Sequence, residues 1–375
     1  MDKPLVDISH LGLKEKPFQR AGSRALINVW ADRIEIKKQI DRLMWDWTRD
    51  DESSIRIIWG DLGTGKSHTL IYIRDHYQSN KRLGVIPVHA VMPKEIKSFL
   101  DVYQAITAAL DLSLIADLFE QTYIKYGNVK KMNEIFSYIP DAVNAIRNLG
   151  STDVNKRLAE AWLKGIKLTR RSLDALEVNR YIKTTDDCVA MLSGIVKLIE
   201  GSVEYLRFLF MLDECQRMWE AKKNINKDVN IGLQTWYDAN PNHLTLLLSC
   251  KSGDESAIAP LLTEDMRSRM TYPNISFPLL TKLEALEFIR FLLAHFHLDD
   301  VTDKWFPFSG QIVEGVVQHL TQNDGVSPRN LMKGFEALLN EADYLIMNEG
   351  SFNISVERAV EIVDKAIKET AGEED

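Results

Sequence analysis

The sequence predicts an α/β protein built on a parallel sheet covered on both faces, followed by an all-helical region. Three observations carry this. Short continuous apolar runs alternate with stretches of helical spacing, the pattern of strands buried on both sides. A glycine-rich segment of the form G-x-x-x-x-G-K-[ST] stands between the first such run and a helix. After Ser276-Phe-Pro278 only helical spacing remains.

Residues 1–30 read as loop-rich, with Lys16-Pro17-Phe18 and Ala21-Gly22-Ser23 as breakers. Residues 31–48 place Ile36, Ile40, Leu43, Met44 and Trp47 on one helical side. Ile55-Arg-Ile-Ile-Trp59 is a strand, and Ser67–Arg74 a helix. The run Leu83–Val91 is a second strand, and Pro87 within it predicts an edge position, because proline has no N–H to give to a ladder. From about Lys94 to Gly201 the signal is helical, including Ile96–Leu110, Leu158–Leu168 and Val189–Ile199. That is too long for a simple crossover, so residues 112–200 are read as an inserted helical subdomain. Tyr205–Leu212 and Leu244–Ser249 are further strands. Helices follow over Lys282–Phe296, Gly310–Leu320, Pro328–Leu345 and Val356–Lys368. The expected domains are 1–275, nucleotide-binding, and 276–375, a helical lid.

The glycine-rich segment is Gly60-Asp61-Leu62-Gly63-Thr64-Gly65-Lys66-Ser67. Its glycines let the backbone wrap closely enough for successive N–H groups to face phosphate oxygens. The helix that follows adds unpaired donors and partial positive charge. Lys66 is expected to reach the β/γ-phosphates and Ser67 to hold Mg²⁺. His68, next along the chain, is counted with this nucleotide-binding set. The run Phe208–Leu212 ends in Asp213-Glu214. Asp213 at a strand end can hold Mg²⁺ through its water shell, and Glu214 is placed to polarise an attacking water. Ser249 ends the next strand and could orient that water, touch the γ-phosphate, or simply cap. Arg267 and Arg269 are candidates for an arginine supplied to a neighbouring subunit, Arg269 being slightly preferred. Arg329, set by Pro328 at a helix start, could fold over the phosphates.

Charge and cysteine usage narrow the function classes. The 375 residues carry a formal charge of −8, so no global basic footprint exists for nucleic acid. The cluster Lys164, Lys167, Arg170 and Arg171 is the best local basic candidate. Cys188, Cys215 and Cys250 are scattered, which argues against a zinc site and for a reducing compartment. With no signal peptide and no apolar run near the ~18 residues of a membrane span, the chain is expected to be soluble and cytoplasmic. The tryptophans are dispersed and are assigned to cores and interfaces. His89 ends the second strand, either as a polar gate or as a core-edge histidine.

Taken together, Gly60–Ser67, Leu212-Asp213-Glu214, Ser249, Arg267/Arg269 and Ser327-Pro328-Arg329 resemble an AAA+ ATPase from end to end. The series is most similar to the initiator clade of origin-recognition proteins, helicase loaders and target-selecting transposition ATPases. Trp30-Ala-Asp32-Arg33-Ile-Glu35 resembles that clade's GR-x-x-E box, which lines the adenine pocket, with Asp where Gly is common; on this resemblance Arg33 joins the nucleotide-binding residues. Ala161-Trp-Leu-Lys-Gly165, the helical stretch to Ile199 and the Leu-Asp-Glu strand also look similar to ATP-binding proteins of BREX-type phage-defence loci.

The resemblance implies a nucleotide-controlled ring or filament of copies of the chain, using ATP and Mg²⁺. It would act on DNA or on a DNA-acting protein of the same system, with no membrane role. Initiators usually carry a winged-helix domain after the lid, whereas this sequence stops near the lid's end, so double-strand reading by such a domain is not expected. The alternatives are a nucleotide-gated scaffold and a self-inhibited signalling NTPase. A small-molecule kinase would leave Ser249, Arg269 and Arg329 without a use.

Overall fold

The computed structural model describes residues 7–19, 26, 29–31, 33–127, 129–151, 153–253, 262–271, 274–322 and 324–371. Asp32 and the breaker Ala21-Gly22-Ser23 lie outside them. The chain packs as two units, each with its own core. One comprises Met1–Gln39, Gly60–Tyr72 and Phe277–Asp375, the other Ile40–Trp59 and Ile73–Ser276.

The sheet lies in the second unit apart from Gly60 and Phe277. Its strands are β1 (Ser54–Gly60), β2 (Val85–Val91), β3 (Arg207–Asp213), β4 (Leu244–Lys251) and β5 (Ile275–Phe277), in the order β2-β3-β4-β1-β5. β2 is an edge strand, as Pro87 predicts. β2 and β3 run parallel in a register from Val85↔Arg207 to Val91↔Asp213, and β3 and β4 from Phe208↔Leu244 to Leu212↔Leu248. Every residue of β3 is buried, which explains its unbroken apolar reading. β3 starts at Arg207, two residues later than the apolar run suggests, because the N–H groups of Leu206 and Arg207 both turn to the Gly84 carbonyl. Three-residue β5 was not foreseen, since so short a strand leaves no period to read.

Among the described residues between β2 and β3 lie seven α-helices, from Phe99–Ala109 to Thr185–Lys197. Trp162 anchors this region, fully buried and donating its indole N–H to the Arg180 carbonyl at 2.8 Å. The helix expected over Leu158–Leu168 runs instead over Asp153–Leu163. Gly165, at φ 66°, adopts the left-handed conformation that ends helices.

In the first unit the C-terminal helices are Lys282–Phe296, Gly310–Leu320, Pro328–Glu349 and Val356–Ala371, close to the predicted spans. Capping explains the sharp starts. Thr281 and Glu284 form a reciprocal capping box, and Ser327 accepts from the Asn330 N–H with Pro328 in the first turn. N-terminal residues complete this core, with the Phe18 ring centroid 6.4 Å from that of Phe308 and 5.4 Å from that of Phe335. Among the described residues no single helix is long and apolar enough to cross a membrane.

Candidate functional site

The residues singled out by sequence fall into two groups, one in each unit. In the first unit, Gly60 ends β1 and Lys66 opens the helix Lys66–Ser79. The loop between them is shaped by main chain. Gly63 has φ 76° and Gly65 φ 101°, values that L-residues with a Cβ rarely hold. A Cβ on Gly63 would lie 2.6 Å from the Arg329 Cβ, whereas one on Gly65 would meet nothing within 4 Å. Lys66 is 9% exposed, and its ammonium donates to the Gly60 and Asp61 carbonyls at 2.7 Å each. The Thr64 hydroxyl donates to the Asp61 carbonyl at 2.8 Å. Asp61, Leu62 and Ser67 are exposed.

Two more of the expected residues meet this loop. The Arg329 N–H donates to the Gly63 carbonyl at 3.2 Å, so the start of the helix Pro328–Glu349 is fastened to the loop. Paired hydrogen bonds between Leu280 and Val326 hold the approach to that helix. Arg33 donates to the Thr64 carbonyl at 2.7 Å and to the Pro278 carbonyl, with its guanidinium 5.7 Å above the Phe277 ring. His68 hydrogen-bonds the Leu26 carbonyl at 2.9 Å. Trp30 and Tyr72, both half-buried, meet edge to face at 5.2 Å, a pairing that helical spacing alone could not reveal.

In the second unit, Asp213 ends β3, 5% exposed. One of its carboxylate oxygens accepts the Glu214 N–H at 2.9 Å and the other lies 3.9 Å from His89 Nε2. Glu214 has φ 61°, so the chain turns sharply off the strand. Its carboxylate takes the Gln216 amide at 2.7 Å and the Arg217 guanidinium at 3.3 Å. Neither Gln216 nor Arg217 was singled out by sequence; their positions just after an acidic strand end are the signal that could have found them. On β4 the Ser249 hydroxyl is fully buried and has no hydrogen-bond partner among the described residues. Buried polar atoms of this kind cost free energy unless something satisfies them.

The two arginines after Thr263 differ. Arg269 grips Asp238 through Nε at 2.5 Å and Nη2 at 2.8 Å, and that hydrogen bonding raises its pKa above the usual guanidinium value. Arg267 is exposed and pairs with no group among the described residues. In the basic cluster, Arg170 is paired with Asp174 at 3.0 Å.

These groups fit the expected ligands. The ammonium of Lys66 is held by main-chain oxygens in a loop that leaves open space at Gly65, a place that suits phosphate oxygens. Among the described residues no three His, Cys, Asp or Glu side chains gather as a metal cage. Mg²⁺ bound with a nucleotide needs only one or two carboxylates, its other ligands being water and phosphate oxygens. Asp213 can be one of these.

Solved structures share this architecture across nearly the whole chain. The Aeropyrum pernix ORC2 protein, in ADPNP–ADP complexes, superposes with a TM-score of 0.54 at 12% identity, covering 92% of this chain and 72% of that one. The chain has the fold of initiator-type AAA+ proteins. Within that AAA+ group, Drosophila ORC bound to DNA gives 0.52 at 12% identity, covering 99% and 68%. The A. pernix ORC1 protein in complex with DNA gives 0.50 at 11%, covering 92% and 69%. No family model matches the sequence, and the search of curated proteins found no match.

Proposed function

We propose that this chain is an AAA+ ATPase that binds Mg-ATP, assembles with copies of itself and hydrolyses the nucleotide. The observation that carries this is the phosphate loop: a Lys66 ammonium seated on main-chain carbonyls, flanked by glycines that no other residue could replace cheaply. Gly60–Ser67 and His68 form the nucleotide site, with Arg33 bracing the loop and Arg329 closing on it. Ser67 is the Mg²⁺ residue of the loop, where the ion would supply charge neutralisation of the phosphates, and Asp213 is the metal-side acid. Glu214 is the base and Ser249 orients the water.

Arg267 is the arginine offered to a neighbouring copy. Its freedom supports that choice over Arg269, which is committed to Asp238. The biological role that fits is a nucleotide-controlled switch or motor in a DNA-linked process, such as phage defence, transposition or replication loading. Two of the similar solved structures are described with DNA. Here contact with DNA would fall to Lys164, Lys167 and Arg171, since Arg170 is paired.

The experiment is the solution mass without nucleotide, with ADP and with a non-hydrolysable ATP analogue, each with and without DNA. Assembly only with the analogue, strengthened by DNA, is the expected result. A monomer throughout, indifferent to DNA, contradicts the shared-site reading.

A further inference from the structure

Gln216 and Arg217, two and three residues after Glu214, reach to both strands that flank β3. Arg217 donates through Nη1 to the Met92 carbonyl, just past the end of β2, at 2.6 Å. Its Nη2 lies 3.3 Å from Glu214 Oε2. On the other side, the Gln216 amide oxygen accepts the Lys251 N–H at the end of β4 at 2.9 Å, and its NH₂ donates to the same Glu214 Oε2 at 2.7 Å. The backbone runs the same way. Met92 N–H donates to the Asp213 carbonyl at 3.0 Å, and Cys215 N–H to the Ser249 carbonyl at 2.8 Å. Gln216 is buried at 7% exposure and uses both ends of its amide, so its orientation is fixed by its partners.

Both donors converge on one oxygen. Glu214 Oε1 has no partner among the described residues. We infer that Gln216 and Arg217 are positioning residues that fasten Glu214 Oε2 to β4 and to the end of β2, leaving Oε1 as the acceptor for the attacking water. A glutamate has several rotatable bonds, and a base must be held near its working geometry to be effective. An ordinary surface ion pair would contribute little here. This one differs because the guanidinium has a second, main-chain anchor. The same anchor joins the base to Met92, where the chain leaves β2 toward the helical segment, so a shift of that segment reaches Glu214 through a single side chain.

The inference rests on the proposal that Glu214 is the base of an ATPase, and the test separates the two. Steady-state ATP hydrolysis and binding of a fluorescent ATP analogue are measured for the unmodified chain, Glu214→Gln, Arg217→Ala, Arg217→Lys and Gln216→Ala, with thermal melting as a check of folding. Arg217→Ala should lower kcat about 10- to 100-fold with KM and analogue affinity nearly unchanged, the signature of a misplaced reacting group. Arg217→Lys should recover part of the loss, since an ammonium can pair with Glu214 but cannot fork to two partners. Gln216→Ala should fall in between. If Glu214→Gln is inactive while Arg217→Ala and Gln216→Ala turn over like the unmodified chain or faster, the positioning role is wrong and the base stands. Equal losses in affinity and kcat would mark a structural role and also overturn it. If the unmodified chain does not hydrolyse ATP, or Glu214→Gln hydrolyses as well as it does, both readings fall.

Discussion

The glycine-rich loop and the acidic strand end are built of different materials. The loop is made of backbone: its shape comes from glycines at φ 76° and 101°, and even the Lys66 ammonium rests on carbonyl oxygens. The strand end is made of side chains, with Asp213, Glu214, Gln216, Arg217 and Ser249 set by the register of parallel neighbours. A backbone-built site should be broken by adding a Cβ, and a side-chain-built site by changing a functional group at constant shape.

Substitutions at the two regions separate backbone construction from side-chain construction. The largest effect is expected from Lys66→Ala, which removes the buried charge proposed to meet phosphate. The expected loss in nucleotide binding is about 2–5 kcal/mol, read by titration with a fluorescent ATP analogue. Next comes Gly63→Ala against Gly65→Ala. Both force left-handed backbone on alanine, at about 1–2 kcal/mol each, but only the first drives a Cβ onto Arg329. Gly63→Ala should therefore melt lower than Gly65→Ala; equal melting would mean the helix start at Pro328 is not seated on the loop.

Ser249→Ala tests the side-chain half in the opposite sense. Its hydroxyl is buried without a partner among the described residues, so stability should hold or rise by up to about 1 kcal/mol while kcat falls. A clear loss of stability would show that the hydroxyl is bonded in the folded chain. Smallest is Arg269→Ala, which breaks a partly exposed pair with Asp238 and should change stability by no more than about 1 kcal/mol. Arg267→Ala should leave stability alone yet abolish turnover in the assembled state. Mixing it with Glu214→Gln subunits should restore some activity, and no rescue at any ratio would count against shared sites.

The contrast also explains what could be read from the sequence. The phosphate loop is legible because its chemistry demands neighbouring residues in one order, and the buried strands because β3 and β4 are apolar throughout. Pro87 marked β2 as an edge because its missing N–H is a local property. What escaped depends on distant partners. Asp238 lies 31 residues before Arg269, and nothing near Arg269 announces the fork that ties it down. The reach of Arg217 to Met92 crosses 125 residues of chain, much of it helical insertion. Gly165 was visible as a residue but its left-handed turn was not, so the helix around Trp162 was drawn too late in the chain.

One chain is expected to carry both a nucleotide-binding loop and a working base. The most direct test is to measure Mg-ATP hydrolysis and ATP-analogue binding side by side for the unmodified chain and Glu214→Gln. Turnover by the former, with binding retained and turnover lost by at least about 100-fold in the latter, is the predicted result. Binding without hydrolysis in either protein would contradict the claim and leave a nucleotide-gated scaffold.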